Sequence, residues 1–337
     1  MKFIYFTDMH GRANNPISRL DNFPETILKK LDWVMNLSNE YEAVLLFGGD
    51  WLNRPDTSSA FITEMGKIIK KAYGDIYTVL GNHDIYGYNP ESFNRTPLNI
   101  LRGVDFIKVL SEIEPIDIVE GRKMIRLTGS SSTFGIDKED KKHYYPHIVN
   151  DDEYDNIHIH VTHGFLADHA WPNVECTVVK DILDTPADVI LSGHEHSGFG
   201  IIHKNNKYFC NPGALARVTA GVGDVNMIVR VALLDTDKYG TDDFITFINC
   251  PIARPAEEVL DREKLLEEKE HEQKIQQFFS SVQEINIEST GTDIFEIFKV
   301  FAKQESLAED VTNEVIKRLE VAAERIGFRE ESDEENC

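Results

Sequence analysis

The chain has 337 residues, of which 41% are hydrophobic, and a formal net charge of −23, so it is long enough for one large catalytic domain with an appendage or for two ordinary domains. It contains no apolar run of the roughly 18 residues that a membrane-spanning helix needs, and its apolar start, residues 2–7, is too short for a signal peptide. Four widely spaced cysteines without a Cys-x-x-Cys pair argue against a disulfide framework and a zinc ribbon. We expect a cytoplasmic protein without a membrane segment.

The negative charge is concentrated in the last quarter of the chain. Residues 256–337 hold 23 acidic and 10 basic side chains, whereas residues 1–255 hold 35 and 25. A nucleic-acid-binding protein normally carries a basic surface, so this charge weighs against a nucleic-acid substrate. Divalent ions bound in a cleft would make the local field positive, and the charge therefore does not exclude such a substrate.

Apolar segments with strand and helix periodicity alternate over the first eighty residues. The pattern predicts strands at 2–7, 43–47 and 76–80, and helices at 24–39 and 58–72 between them. Two successive strand–helix–strand units indicate a parallel sheet whose functional residues lie at the carboxyl ends of the strands.

The middle of the chain is predicted to form further strands. They are expected at 106–110, 116–119, 123–129, 157–161, 189–192, 225–234 and 244–248, with a helix near 178–183 and a hairpin formed by 199–203 and 207–210. The predicted fold is therefore α/β, a two-sheet β-sandwich flanked by helices that occupies residues 1–250. From residue 251 the composition becomes charged and helical, which predicts a partner-binding or accessory helical module at 251–328 and a disordered acidic tail at 329–337.

Five polar clusters follow predicted strands at the points where the strands end. They are Asp8-Met-His10, Gly48-Gly49-Asp50, Gly81-Asn82-His83-Asp84, Thr162-His163-Gly164 and Gly193-His194-Glu195-His196. Their carboxylate, amide and imidazole donors are the ligand types that divalent transition ions prefer in proteins. The sequence therefore predicts a site for two divalent transition ions.

The clusters also suggest which donors bind each of the two ions. We expect Asp8, His10 and His196 to hold one ion, Asn82, His163 and His194 to hold the other, and Asp50 to bridge them, since the two glycines before it let the backbone approach closely. Two ions about 3.5 to 4 Å apart can activate water and neutralise phosphoryl oxygens. His83 is then left to protonate the leaving oxygen of the phosphate ester. We expect Asp84 to form a hydrogen bond with the His83 ring and to fix its tautomer.

The ordered set of motifs resembles the calcineurin-like metallophosphoesterase superfamily. Within it, the segments Arg19-Leu-Asp21, Gly49-Asp-Trp-Leu-Asn-Arg-Pro55 and Asn211-Pro-Gly-Ala-Leu-Ala-Arg217 make residues 1–250 most similar to the SbcD-type nucleases of DNA repair. This resemblance implies manganese-dependent exonuclease and endonuclease activity on DNA, homodimer formation and a partner ATPase of the SbcC type, an ABC protein with long coiled coils. Asn53 departs from the pattern, because many members of the family carry histidine there.

Several assignments remain open at the level of sequence. Arg12, Arg54 and Arg217 are candidates for binding substrate phosphates, although single arginines near turns are as often structural. His158 and His160 alternate with apolar residues, and we expect them to pack rather than to bind metal. A small-molecule phosphodiesterase, for example of nucleotides or cyclic nucleotides, is the first alternative to a nuclease, and a non-catalytic scaffold for an ATPase is the second.

Overall fold

The computed structural model of the chain describes residues 1–138, 141–148, 151, 153–171, 174–218 and 222–261. Buried strands and amphipathic helices alternate at its start, as predicted. They are β1 (Lys2–Phe6), α1 (Phe23–Tyr41), β2 (Ala43–Phe47), α2 (Ser59–Ile69) and β3 (Ile76–Thr78), followed by α3 (Asn99–Gly103) and β4 (Lys108–Val109).

The ends of α1 follow from its sequence. The Asn22 side chain accepts a hydrogen bond from the Glu25 backbone N–H, and a proline lies in the first turn, both of which favour a helix start. The helix buries Ile27, Leu31, Val34 and Met35 on one face and ends at a residue in the left-handed conformation, where its chain reverses into β2.

The later strands build a second sheet and complete the first. They are β5 (Ile116–Glu120), β6 (Lys123–Ser130), β7 (Asp155–Thr162), β8 (Leu166–Ala167), β9 (Thr177–Val178), β10 (Val189–Ser192), β11 (Gly200–Lys204), β12 (Lys207–Asn211), β13 (Arg230–Asp235) and β14 (Ile245–Asn249), with α4 (Val222–Asn226) and α5 (Ala256–Val259). One sheet has the order β14-β13-β1-β2-β3-β4 and the other β11-β12-β10-β7-β6-β5, while β8 and β9 form a separate pair.

Successive residues of the central strand β1 pack alternately into two layers of the hydrophobic core. Phe3 and Tyr5 of β1 pack in one apolar cluster with Ile159 and Val161 of β7, so this cluster joins the two sheets. Ile4 of β1 belongs to a different cluster, which contains the apolar faces of α1 and α2. The predicted two-sheet α/β sandwich flanked by helices is therefore confirmed, and the period-two burial explains it.

Two elements differ from the sequence prediction. The predicted helix at 178–183 is only a short 3-10 turn at Val179–Asp181. The predicted strand at 225–234 is instead α4 followed by β13. Arg217 donates to the main-chain oxygens of Asp224 and Met227, and these bonds hold the segment before β13 outside the sheet.

The described residues beyond 250 contact the segment between β1 and α1. Asp261 N donates to Ser18 O at 2.8 Å, Leu20 N donates to Val259 O at 3.0 Å, and Val259 and Leu260 are buried. The rest of the expected helical module and the acidic tail, residues 262–337, lie outside the described residues. None of the described helices combines the length and the apolar character that a membrane span requires.

Candidate metal centre

The carboxyl ends of strands from both sheets bring the predicted ligands together. Asp8 and His10 follow β1, Asp50 follows β2, Asn82 and His83 follow β3, His163 follows β7, and His194 and His196 follow β10. β1, β2 and β3 run parallel, as do β7 and β10, so each sheet delivers its polar residues to a common edge.

The donor atoms form three overlapping groups in which all members lie within 4.8 Å of one another. The groups are Asp8, His10 and His196; His10, Asp50 and His83; and Asp50, His163 and His194. Asn82 joins the last group, since its Oδ1 lies 3.2 Å from His163 Nε2. All seven predicted ligands thus converge, and Asp50 lies between the two predicted sites. Their individual roles as ligands stay a prediction.

The donor chemistry of this cluster fits a pair of divalent ions. His10 Nε2 faces His196 Nε2 at 3.0 Å, and Asp50 Oδ2 lies 3.6 Å from His10 Nε2 and 3.3 Å from His163 Nε2. Asp8 Oδ1 lies 3.7 Å from His196 Nε2. Nitrogen and carboxylate lone pairs that face each other in a buried site are stabilised by a shared cation.

Hydrogen bonds to main-chain carbonyls orient two of the imidazoles. His163 Nδ1 is 2.7 Å from Gly48 O, and His83 Nδ1 is 2.8 Å from Asn53 O. A carbonyl accepts only from an N–H, so both rings carry a proton on Nδ1 and direct Nε2 toward the cluster. This is the usual arrangement of metal-binding histidines, whose second nitrogen donates to an acceptor behind them.

The backbone of the cluster is strained at the candidate ligands. Asp8, His10, Asp50 and His194 have φ values of +52°, +46°, +57° and +71°. A side chain makes the left-handed region unfavourable, and residues held there cost of the order of 1–3 kcal/mol each. Strain at four neighbouring polar residues indicates that their placement serves function rather than stability.

Gly49, one of the two glycines before Asp50, and Gly81 allow the strand ends to approach closely. A Cβ atom on Gly49, where φ is +98°, would lie 2.5 Å from His163 Nδ1, and one on Gly81 would lie 1.9 Å from Asp50 Oδ1. Any side chain at these two positions would therefore displace the predicted ligands.

Burial and mutual interactions set the charges of the cluster. Burial alone would raise the pKa of Asp50, but His163 and His10 lower it below its usual range. Burial alone would lower the pKa of His163, but Asp50 raises it to about 10. Burial and the nearby His163 lower the pKa of His194 to about 3, so its ring is neutral at pH 7. Asp50 is therefore ionised at pH 7.

Asp84 does not have the predicted role. Its Oδ1 accepts a hydrogen bond from Leu52 N and its Oδ2 accepts one from Gly81 N, each at 3.0 Å. A tight turn, in which Asp84 N donates to Gly81 O, folds this carboxylate back under the loop and away from His83. The prediction that Asp84 fixes the His83 tautomer is wrong, because Asn53 O performs that task.

The three candidate arginines fall into two environments. Arg12 and Arg54 line a cleft of about 370 Å³ together with Asn53, the residue whose carbonyl holds His83. Arg217 lies elsewhere and is 8% exposed, and its guanidinium donates to three main-chain carbonyls, those of Asp224, Met227 and Arg254. The geometry is contrary to the substrate-binding prediction for Arg217, since its N–H groups already stabilise the loop before β13.

The structure adds contacts that sequence reasoning missed. Asp224 Oδ1 lies 3.8 Å from His196 Nδ1. Burial alone would lower the pKa of His196, but Asp224 and Asp8 raise it to about 9. Phe165 lies against His194, with ring centroids 5.7 Å apart. Asp224 is distant in the chain and part of no motif, so no local pattern could have identified it.

His158 and His160 are packed in the second sheet, as the sequence analysis expects. Thr128 Oγ1 lies 2.9 Å from His158 Nε2 and 2.8 Å from His160 Nδ1, and His160 Nε2 lies 2.9 Å from His143 O. Among the described residues, neither histidine belongs to a group of candidate metal donors. Their hydrogen bonds give them a structural role.

The family model described as calcineurin-like phosphoesterase matches residues 1–198, which is more than half of the chain and includes all the candidate ligands. The chain belongs to the calcineurin-like phosphoesterases. It is accordingly a metal-dependent hydrolase of phosphate esters, and the buried histidine and aspartate groups are consistent with the dinuclear metal site expected of such an enzyme.

Two solved structures that are similar to this calcineurin-like phosphoesterase share little sequence with it. One crystal structure is 14% identical, with a TM-score of 0.42, over 74% of this chain and 98% of the other. A crystal structure of Chaetomium thermophilum Vps29 is also 14% identical, with a TM-score of 0.32, over 70% of this chain and 80% of the other. A search of curated protein sequences found no match.

Proposed function

We propose that the protein is a nuclease, a two-metal phosphodiesterase that cleaves DNA in the manner of the SbcD-type proteins that its motifs resemble. The observation that carries the phosphodiesterase part is the position of Asp50, whose Oδ2 lies 3.6 Å from His10 Nε2 of one predicted metal site and 3.3 Å from His163 Nε2 of the other. Two divalent ions, probed first as Mn²⁺, would supply positive charge to the phosphoryl oxygens and acidify a water molecule.

His83 is the residue that we propose as general acid. Its Nδ1–H donates to Asn53 O at 2.8 Å, and its main-chain N–H donates to Asp50 Oδ1 at 2.9 Å, so ring and backbone are both fixed. Its Nε2 is left to carry a proton toward the leaving oxygen. A positioned imidazole of this kind contributes about 10²–10⁴-fold to such a reaction.

The cleft beside His83 supports a substrate with more than one phosphate. Arg12 and Arg54 line it, and guanidinium groups bind phosphate oxygens through paired N–H donors. Most of the excess negative charge belongs to residues 256–337 and not to this cleft. The guanidinium groups of Arg12 and Arg54 could therefore contact the phosphates of a polynucleotide next to the scissile one.

One observation favours a small nucleotide or cyclic nucleotide as the alternative substrate. Arg54 forms a two-pronged ion pair with Asp56, with N–O distances of 3.0 and 3.1 Å, which lowers its positive field. Residues 1–255 also have an excess of acidic side chains. A small substrate would need only the metal centre and His83.

The test compares substrates with one enzyme preparation. The full chain with Mn²⁺ is incubated with end-labelled single-stranded and duplex DNA, and in parallel with mononucleotide and cyclic-nucleotide esters. We expect DNA cleavage that is lost in Asp50→Asn and His83→Gln and kept in Asp117→Asn, a change of an exposed carboxylate on β5. Cleavage of the small esters alone would establish the alternative and refute the nuclease.

The partners and the location expected from the resemblance are part of the same proposal. We propose a homodimer, a complex with an SbcC-type coiled-coil ABC ATPase, and a cytoplasmic location. Co-expression of the full chain with such an ATPase, followed by co-purification and light scattering, is expected to give a complex that contains two copies of this chain. Separate elution of the two proteins would exclude this partner without affecting the hydrolase assignment.

A further inference from the structure

We propose that Phe165, His169 and Trp171, here called the aromatic shelf, form a subsite that stacks an unpaired nucleobase of the substrate beside the metal centre. The inference rests on the proposed nuclease function and names a feature of its substrate, a strand or strand end with free base faces. Neither the family match nor any motif assigns these residues a role.

The aromatic shelf begins at the metal centre itself. The Phe165 ring meets the ring of the predicted ligand His194 edge-on, with centroids 5.7 Å apart, and it meets Trp171 edge-on at 5.6 Å. The indole therefore lies no more than about 11 Å from the His194 ring. This span corresponds to about three base steps of 3.4 Å along a nucleic-acid strand, so a strand cleaved at the centre can reach the shelf.

The outer part of the shelf is open to solvent. Trp171 is 38% exposed, although a tryptophan usually gains stability by burial. His169 lies nearly parallel to the indole, at an angle of 18° and a centroid distance of 6.0 Å, and its side chain is 68% exposed. Planar aromatic faces presented to solvent next to a catalytic centre are the usual means of holding unpaired bases.

Partly buried hydrogen bonds fix Phe165, the end of the shelf that contacts the metal centre. Asp137 Oδ2 accepts from Phe165 N at 2.7 Å, and its Oδ1 accepts from Tyr144 Oη at 2.5 Å and from Thr177 Oγ1 at 2.8 Å. Thr177 N in turn donates to Phe165 O at 2.9 Å. The shelf therefore starts from a pre-organised support, which reduces the entropy cost of binding a ligand.

The charges of the shelf indicate a base rather than a phosphate as its ligand. Residues 164–178 contain no lysine or arginine, and the Asp168 carboxylate, 2.5 Å from His169 Nδ1, would repel a phosphate. An uncharged π-face is tolerant of base identity, because every nucleobase can stack on it. We therefore expect preference for single strands and frayed ends over blunt duplexes, without strong sequence preference.

The test compares a normal single-stranded oligonucleotide with one of the same length whose central nucleotides are abasic. The full chain is used with Mn²⁺ and the His83→Gln change, which suppresses cleavage during the binding measurement. In this background Trp171→Ala is expected to weaken the Kd for the normal strand by about 5- to 150-fold, the range of one lost base stack. The Kd for the abasic strand should change by less than about threefold.

Two further variants separate stacking from damage to the fold. Trp171→Phe keeps a π-face and is expected to stay within about fivefold of the parent Kd. Tyr73→Ala removes an aromatic side chain that is 52% exposed just after α2, and is expected to leave both affinities unchanged. If Trp171→Ala weakened the Kd for the normal and the abasic strand equally, or changed neither, the proposed stacking subsite would be refuted. The proposed nuclease function would not be affected. Absence of any oligonucleotide binding or cleavage by the unmodified chain would refute both proposals.

Discussion

The shared position of Asp50 predicts a specific difference between two conservative variants. Asp50 belongs to two donor groups, whereas Asp8 belongs to one. Asp50→Asn should therefore weaken binding at both metal positions, and Asp8→Asn at only one. After equilibration with Mn²⁺ and removal of excess metal, we expect two ions per chain in the unmodified protein, one in Asp8→Asn and fewer than one in Asp50→Asn.

The magnitude follows from the loss of one buried negative charge. Two unit charges about 4 Å apart interact by about 4 kcal/mol at the effective dielectric constant of a protein site, which corresponds to about 10³-fold in Kd. Asp50 also accepts the His83 main-chain N–H at 2.9 Å. An asparagine retains an oxygen for this bond, so the change removes charge while it preserves the local turn.

Mass spectrometry of metal content and thermal unfolding provide the two readouts. Metal that binds the folded state raises its stability by mass action, so Mn²⁺ should raise the Tm of the unmodified chain, raise it less in Asp8→Asn and leave it unchanged in Asp50→Asn. Unfolding in the presence of a chelator controls for any effect on the metal-free fold. Retention of two tightly bound ions by Asp50→Asn would refute the shared position.

Four further predictions follow from the contacts described above. His83→Gln should retain bound metal but lower kcat by about 10²–10⁴-fold, and a parallel loss of metal would contradict a role as general acid. Asn53→Ala should change kcat by less than about threefold, because His83 is held by a main-chain carbonyl; a large loss would mean that the amide acts directly. Arg217→Met should lower the free energy of unfolding by about 2–3 kcal/mol in urea titrations, since three main-chain carbonyls, two of them in buried hydrogen bonds, lose a charged donor. Burial lowers the pKa of His160 from 6.5 to about 4 in the folded state. As the pH falls, the His160 ring is therefore protonated in the unfolded chain before it is protonated in the folded one. His160 should therefore contribute stability above pH 6.5 that is lost between pH 6.5 and 4, up to about 3 kcal/mol, and this part of the pH dependence should be absent in His160→Gln.

The strands and the ligand clusters could be predicted because their signals are local. A strand of alternating burial such as β1 is encoded by its own residues, and the polar side chains that follow it lie within four positions of its end. Parallel neighbours then bring such clusters to one edge. The convergence of Asp8, Asp50 and Asn82, which follow the neighbouring parallel strands β1, β2 and β3, was therefore predictable from separate short segments.

The contacts that orient these groups could not be predicted in the same way. The sequence places Asp84 next to His83, and proximity in the chain favours a bond between them. In the fold, Asp84 accepts from Leu52 N and Gly81 N, and the imidazole instead meets a carbonyl thirty residues earlier in the chain. Main-chain carbonyls carry no residue signature, so a sequence cannot show which one will accept a hydrogen bond.

The sequence by itself determined which donor atoms are present and which strand carries each to its carboxyl end, because periodicity and chain order are properties of short segments. Only the tertiary structure decided that Asn53 O orients His83, that Arg217 donates its hydrogen bonds to main-chain carbonyls, and that Trp171 lies against Phe165, which contacts the His194 ring. These facts depend on distances between segments far apart in the chain, and such distances are fixed only when the two sheets pack on their common core.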